Sequence, residues 1–149
     1  LIKDKLIGAP KKARKLIFTD PFIYHAIMSW LEPSDSPFSQ QILPAIDDQL
    51  IASYLVESCV VSHLRRWYPT YYIKADGEVD IAYVKDKTFW PVEIKWINQM
   101  RPKDLKQIQK YKNGIIIGKM SQVQRINNIN AYPLPWFLAQ LSMQEDFPN

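Results

Sequence analysis

The stretch GEVDIAYVKDKTFWPVEIKW, residues 77–96, decides how this chain folds. From Glu78 to Val84, apolar Val79, Ile81 and Tyr83 alternate with Glu78, Asp80 and Ala82, the two-residue period of a strand with one buried face. Lys85, Asp86 and Lys87 break the alternation as a turn. It resumes at Phe89, with Trp90, Val92, Ile94 and Trp96 on one face and Phe89, Pro91, Glu93 and Lys95 on the other. Tyr71-Tyr72-Ile73, joined through an Asp76-Gly77 turn, supplies a further strand, so three antiparallel strands are the economical arrangement.

On the N-terminal side, residues 48–67 (DQLIASYLVESCVVSHLRRW) have helical periodicity. At 100° per residue Leu50, Tyr54, Val61 and Leu64 fall in one stripe, with Glu57 in its middle. A carboxylate facing a core is costly unless a cation or hydrogen-bond donor meets it. The alternative is that the helix tilts and Glu57 reaches solvent. Further upstream, Thr19-Asp20-Pro21 opens an amphipathic helix through Phe22, Ile23, Ala26, Ile27 and Trp30. Residues 32–44, rich in Pro and Ser, are expected to be a loop. On the C-terminal side, Pro102 opens a helix over 102–113. Residues 114–118 (GIIIG) form a buried strand, Ser121 onward is helical again, and the tail holds a short strand and a covering helix. The strand-helix-strand crossover makes the sheet mixed, an α/β architecture.

A chain of 149 residues, 47% hydrophobic and 13% aromatic, suits one core and is short for two. Residues 19–149 are therefore one domain. Residues 1–18 are a linker or arm, with six of the 19 basic residues among the first 15 positions (Lys3, Lys5, Lys11, Lys12, Arg14 and Lys15). The start at Leu1 suggests a piece of a longer protein. No apolar run approaches the roughly 20 residues of a membrane-spanning helix. The single cysteine, Cys59, excludes an intrachain disulfide and points to a reducing, cytoplasmic setting. The net charge of +4 is compatible with a nucleic-acid partner without specifying one. Trp67, Tyr68, Tyr71, Tyr72 and Trp136 are either core or a protein interface. His63, without a second histidine at ligand spacing, is a packing or surface residue.

The chemistry concentrates on the strand pair. Asp80 and Glu93 lie on neighbouring strands and Lys95 follows Glu93 by two, so all three can gather on one side of the sheet. Mg2+ and Mn2+ take carboxylate oxygens, and Asp80, Glu93 and the Ile94 carbonyl supply part of an octahedron that Glu57 extends. A lysine beside two carboxylates can position or deprotonate a water, or stabilise charge on a phosphate.

With helix-Glu, strand-Asp and strand Glu-x-Lys in the order ESCVVSHL, GEVDIAYV and PVEIKW, the sequence resembles the PD-(D/E)XK nuclease superfamily. KQIQKY resembles the Gln-x-x-x-Tyr element of its RecB-like branch, falling on Gln107 and Tyr111, which as i and i+4 on one helix face would contact the site or DNA. KARKLIFTDPFIYHAI, together with these motifs, resembles the C-terminal domain behind the ATPase domain of a family of archaeal and bacterial AAA+ proteins, over most of residues 11–119. The resemblance implies a restriction-endonuclease-like core, with a central mixed sheet flanked by helices. It also implies a DNA substrate, Mg2+ or Mn2+ as cofactor, Glu57, Asp80, Glu93 and Lys95 as catalytic residues, and an N-terminal ATPase domain as partner. The fragment itself has no phosphate loop, so the ATP site belongs to that partner. A homo-oligomer would suit duplex cutting. Val79-Asp80 departs from the Pro-Asp form of the second motif. The alternative function is an inactive nuclease-like module that binds DNA or protein.

Overall fold

In a computed structural model, which describes residues 15–74 and 78–143, Asp20 caps α1 (Pro21–Leu31) by accepting the Phe22 N–H at 2.8 Å. Asp48 does the same for α3 (Gln49–Trp67), accepting from Leu50 and Ile51 at 2.9 and 2.8 Å. Both starts lie where the sequence places them. The expected loop between them is more ordered than its Pro and Ser content suggests: a π-turn at Phe38–Ile42 leads into α2 (Leu43–Asp47), with Pro44 in its first turn, where the missing N–H costs nothing. The basic positions Lys3, Lys5, Lys11, Lys12 and Arg14 and the Asp76-Gly77 turn lie outside the described residues.

Six strands form one mixed sheet in the order β1-β2-β3-β4-β6-β5. β1 (Thr70–Lys74), β2 (Glu78–Lys85) and β3 (Thr88–Lys95) run antiparallel, as the alternation requires. Asp86 and Lys87 turn the β2–β3 hairpin with φ of 49° and 60°. β4 (Ile115–Gly118) lies parallel to β3 and to β6 (Ile129–Pro133), and β5 (Gln124–Ile126) closes the edge. The fold is thus α/β, a mixed sheet flanked by helices. Among the described residues no helix is long and apolar enough to cross a membrane.

Two sequence expectations fail on the C-terminal side. Residues 102–113 are two 3-10 turns, Pro102–Leu105 and Ile108–Lys110, and not a helix. The segment buries only Leu105 and Ile108, and a three-residue spacing repeats on one side of a 3-10 turn. The stretch after Ser121 is the β5–β6 hairpin. Asn127 and Asn128 take φ of 47° and 65°, which asparagine tolerates better than most residues, and that reverses the chain where a helix was expected.

Each sheet face has its own core. Ile81, Tyr83, Val92, Ile94, Ile115, Ile117 and Tyr132 pack under Val60, Val61 and Leu64 of α3 and Phe137 and Leu141 of α4 (Leu134–Met143). Ile73, Val79, Ala82, Ile116, Ile129 and Ala131 pack under Leu105 and Ile108. Val79 and Ile81 therefore lie in different cores, against the simple alternation. The reason is a bulge: Tyr71 and Ile73 of β1 pair with Ala82 and Val79, so three steps of β2 oppose two of β1.

The α3 stripe also divides. Val61 and Leu64 are buried, while Leu50 and Tyr54 are 63% and 58% exposed. The sheet lies under the C-terminal half of the helix, where Val60, Val61 and Leu64 join its core, and in the N-terminal half Ala52 is the buried residue.

Candidate functional site

Asp80 sits at the bulge, and the bulge determines what its side chain can reach. The β2–β3 ladder ends at the pair Ile81–Val92, so the strands part beside Asp80. Its Oδ2 then accepts the Ile94 N–H at 2.7 Å, taking the place of a strand partner. Glu93 and Lys95 flank that N–H on β3. Lys95 Nζ lies 2.6 Å from Glu93 Oε1, with the glutamate side chain only 8% exposed and the lysine 25%. Glu93 Oε2 is buried and has no hydrogen-bond partner among the described residues.

α3 brings Glu57 to the same end of the sheet. Its residue is 7% exposed, so the tilt that would have released it to solvent does not occur. Its partner is Lys15, which the sequence did not single out for the site: Nζ lies 2.5 Å from Glu57 Oε1 and 5.7 Å from the centroid of the Tyr72 ring. Lys15 lies within KARKLIFTDPFIYHAI, but nothing in that stretch assigns it to the site, because it ends a run of basic residues that resembles any solvated arm.

The charges act on one another across three elements. Burial raises the Glu93 carboxyl to about 7, the negative charge of Asp80 adds to this, and Lys95 opposes it. Glu57 is raised by burial and by Asp80 against its hydrogen bond from Lys15. Asp80 is raised by burial against the Ile94 N–H and the charges of Lys95 and Lys15. For Lys95, burial lowers the ammonium, but its bond to Glu93 and the charges of Glu93 and Asp80 outweigh that and the net shift is upward. Glu57, Asp80, Glu93 and Lys95 are therefore one electrostatic group.

As donors, these carboxylates and the Ile94 carbonyl suit a hard divalent cation, and the unpartnered Glu93 Oε2 is an oxygen such an ion would satisfy. Among the described residues, no three acidic, histidine or cysteine side chains stand together as a closed ligand set. Glu57 and Glu93 are each turned to a lysine of their own.

Gln107 and Tyr111 do not share a helix face as expected. Gln107 precedes the second 3-10 turn and Tyr111 follows it, with the Tyr111 ring 6.5 Å from Phe89 at the edge of the second core. His63 Nδ1 lies 2.8 Å from the Cys59 carbonyl inside α3, a packing role. Tyr68 and Trp136 pack against the first core, whereas Trp67 is 43% exposed.

A family model described as a domain of unknown function (DUF4143) matches residues 53–137, more than half of the chain. No curated protein and no solved structure matches it. The matched span contains Glu57, Asp80, Glu93, Lys95, Gln107 and Tyr111 and leaves out Lys15, α1 and α2.

Proposed function

The chain belongs to the DUF4143 family, whose description states no function, and we propose that it is a metal-dependent nuclease acting on DNA. One observation carries this reading. Three carboxylates from α3, β2 and β3, Glu57 and Glu93 buried and Asp80 half-buried, lie within electrostatic range of one another, and Lys95 acts on Asp80 and Glu93, a costly arrangement characteristic of functional sites. Asp80, Glu93 and the Ile94 carbonyl would hold Mg2+ or Mn2+, with Glu57 as an outer carboxylate. The ion supplies Lewis-acid charge at the phosphate and a water of lowered pKa. Lys95, held 2.6 Å from Glu93, orients the attacking water and offers its positive charge to the phosphate.

The distribution of charge suits a polyanion. All the Lys and Arg residues after Lys15, thirteen of them, fall between 65 and 125, and Arg101, Lys103, Lys106, Lys112 and Lys119 are exposed. An ATPase domain on the N-terminal side, a homo-oligomer and a cytoplasmic setting belong to the same proposal; the first rests on the resemblance of KARKLIFTDPFIYHAI.

A second reading, an inactive module that binds DNA or protein, draws on the absence of a closed ligand set among the described residues. The two separate in one experiment, cleavage of plasmid and single-stranded DNA with Mg2+ or Mn2+, in parallel with Lys95→Ala and Asp80→Asn. The nuclease reading expects cleavage by the parent protein, loss of at least about 100-fold in Lys95→Ala, and weakened metal affinity in Asp80→Asn. No cleavage and no metal binding by the parent, with salt-dependent DNA affinity intact, would leave the binding module.

A further inference from the structure

We propose that Lys15 is a positioning residue of this site and acts as a built-in cation: its ammonium neutralises Glu57, and a divalent ion must displace it to engage that carboxylate. The inference rests on the metal-site reading and adds a residue outside both the family match and the Glu57, Asp80 and Glu-x-Lys motifs.

The geometry is specific. Lys15 Nζ meets Glu57 Oε1 at 2.5 Å with the carboxylate 9% exposed and the lysine side chain 25%, so most of the pair is withdrawn from water. The same ammonium faces the Tyr72 ring at 5.7 Å, which gives it a second attraction. Its charge also reaches Asp80 and lowers that carboxyl against the effect of burial. Lys15 thus compensates Glu57 and adds to the effect of Lys95 on Asp80, while Lys95 is paired with Glu93. Lys95 is anchored in β3, two residues from its glutamate. Lys15 comes instead from the chain ahead of α1, tied to the core through neighbouring Ile17 and through the Phe18 carbonyl, which accepts the Ser62 hydroxyl at 3.3 Å. It can leave without unfolding a strand.

Two positive charges cannot share one buried carboxylate without mutual repulsion, so Lys15 and the metal compete. The charge of Lys15 therefore sets the metal affinity of Glu57.

The test is Mn2+ binding to the whole chain without DNA, followed by calorimetry or by the electron paramagnetic resonance of free Mn2+, for the parent protein, Lys15→Met and Lys15→Arg. Lys15→Met keeps the aliphatic stem and removes the charge. It should bind Mn2+ about tenfold more tightly, equivalent to about 1.4 kcal/mol, while Lys15→Arg stays close to the parent. A purely structural lysine would lower thermal stability in Lys15→Met without tightening metal binding. Equal or weaker Mn2+ affinity in Lys15→Met, with the parent binding normally, overturns the competition and leaves the metal site standing. Absence of Mn2+ binding in all three proteins overturns the inference and the nuclease reading together.

Discussion

Glu93 connects the site to pH. Its carboxyl moves from 4.5 to about 7 in the folded chain because burial and Asp80 disfavour its charged form more than Lys95 favours it. The folded state therefore holds a proton that the unfolded state has already lost across that window, and linkage makes stability fall as pH rises from about 4.5 to about 7. Asp80 and Glu57, also raised, act in the same direction. Lys95 does not oppose this, since a lysine raised above 10.5 loses its contribution only at alkaline pH. The unfolding free energy of the metal-free protein in urea should therefore be lower at pH 8 than at pH 5.5, by about 2 kcal/mol at most from Glu93, and Glu93→Gln should flatten the difference. A parent protein equally stable at both values would mean that the carboxyl ionises freely. The same proton must leave before a cation binds, so metal affinity should climb through pH 7.

Among the elements, those with an unambiguous period were legible in the sequence and those set by backbone detail were not. α1, α3, the three antiparallel strands and β4 carry their own patterns, and Glu57, Asp80, Glu93 and Lys95 lie on them in the expected order. The bulge at Asp80 is invisible to alternation, because it depends on how β1 and β2 pair, yet it frees Asp80 Oδ2 for the Ile94 N–H. The β5–β6 hairpin depended on Asn127-Asn128, a turn signal that a helical expectation passed over. The 3-10 turns depended on tertiary fit, and Gly114 shows how close that fit is. A Cβ there would stand 2.7 Å from the Ile108 carbonyl oxygen and 2.9 Å from its Cγ1. The oxygen is backbone, fixed by the turn that buries Ile108, so it cannot rotate away. Gly114→Ala should cost about 1–3 kcal/mol in urea unfolding, while Lys112→Ala, on an exposed side chain of the same segment, should stay within about 0.5 kcal/mol. A neutral Gly114→Ala would show that the turn does not press on Gly114 as described.

At the scale of the whole molecule, the sheet and the N-terminal helices differ in kind. Residues 16–64 contain six acidic residues and no Lys or Arg, and 65–125 hold thirteen Lys and Arg residues. The apolar content divides similarly by burial. α1 is apolar along its length yet buries no residue, with Phe22 70% and Trp30 79% exposed, whereas Phe137 of α4 is fully buried between helix and sheet. Burial and not hydrophobicity sets what a side chain contributes, because the transfer term acts only on area removed from water. Trp30→Ala removes a large ring from a place that is already wet, and should change stability by no more than about 0.5 kcal/mol. Phe137→Ala empties a site walled by Tyr132 and the rest of the first core, and should cost about 3–5 kcal/mol. Chemical unfolding of both variants decides the matter. A large loss in Trp30→Ala would mean that α1 is clamped in solution as part of the core. The expected contrast would make the strand sheet with α3 and α4 the stable body, with α1 and α2 carried on it.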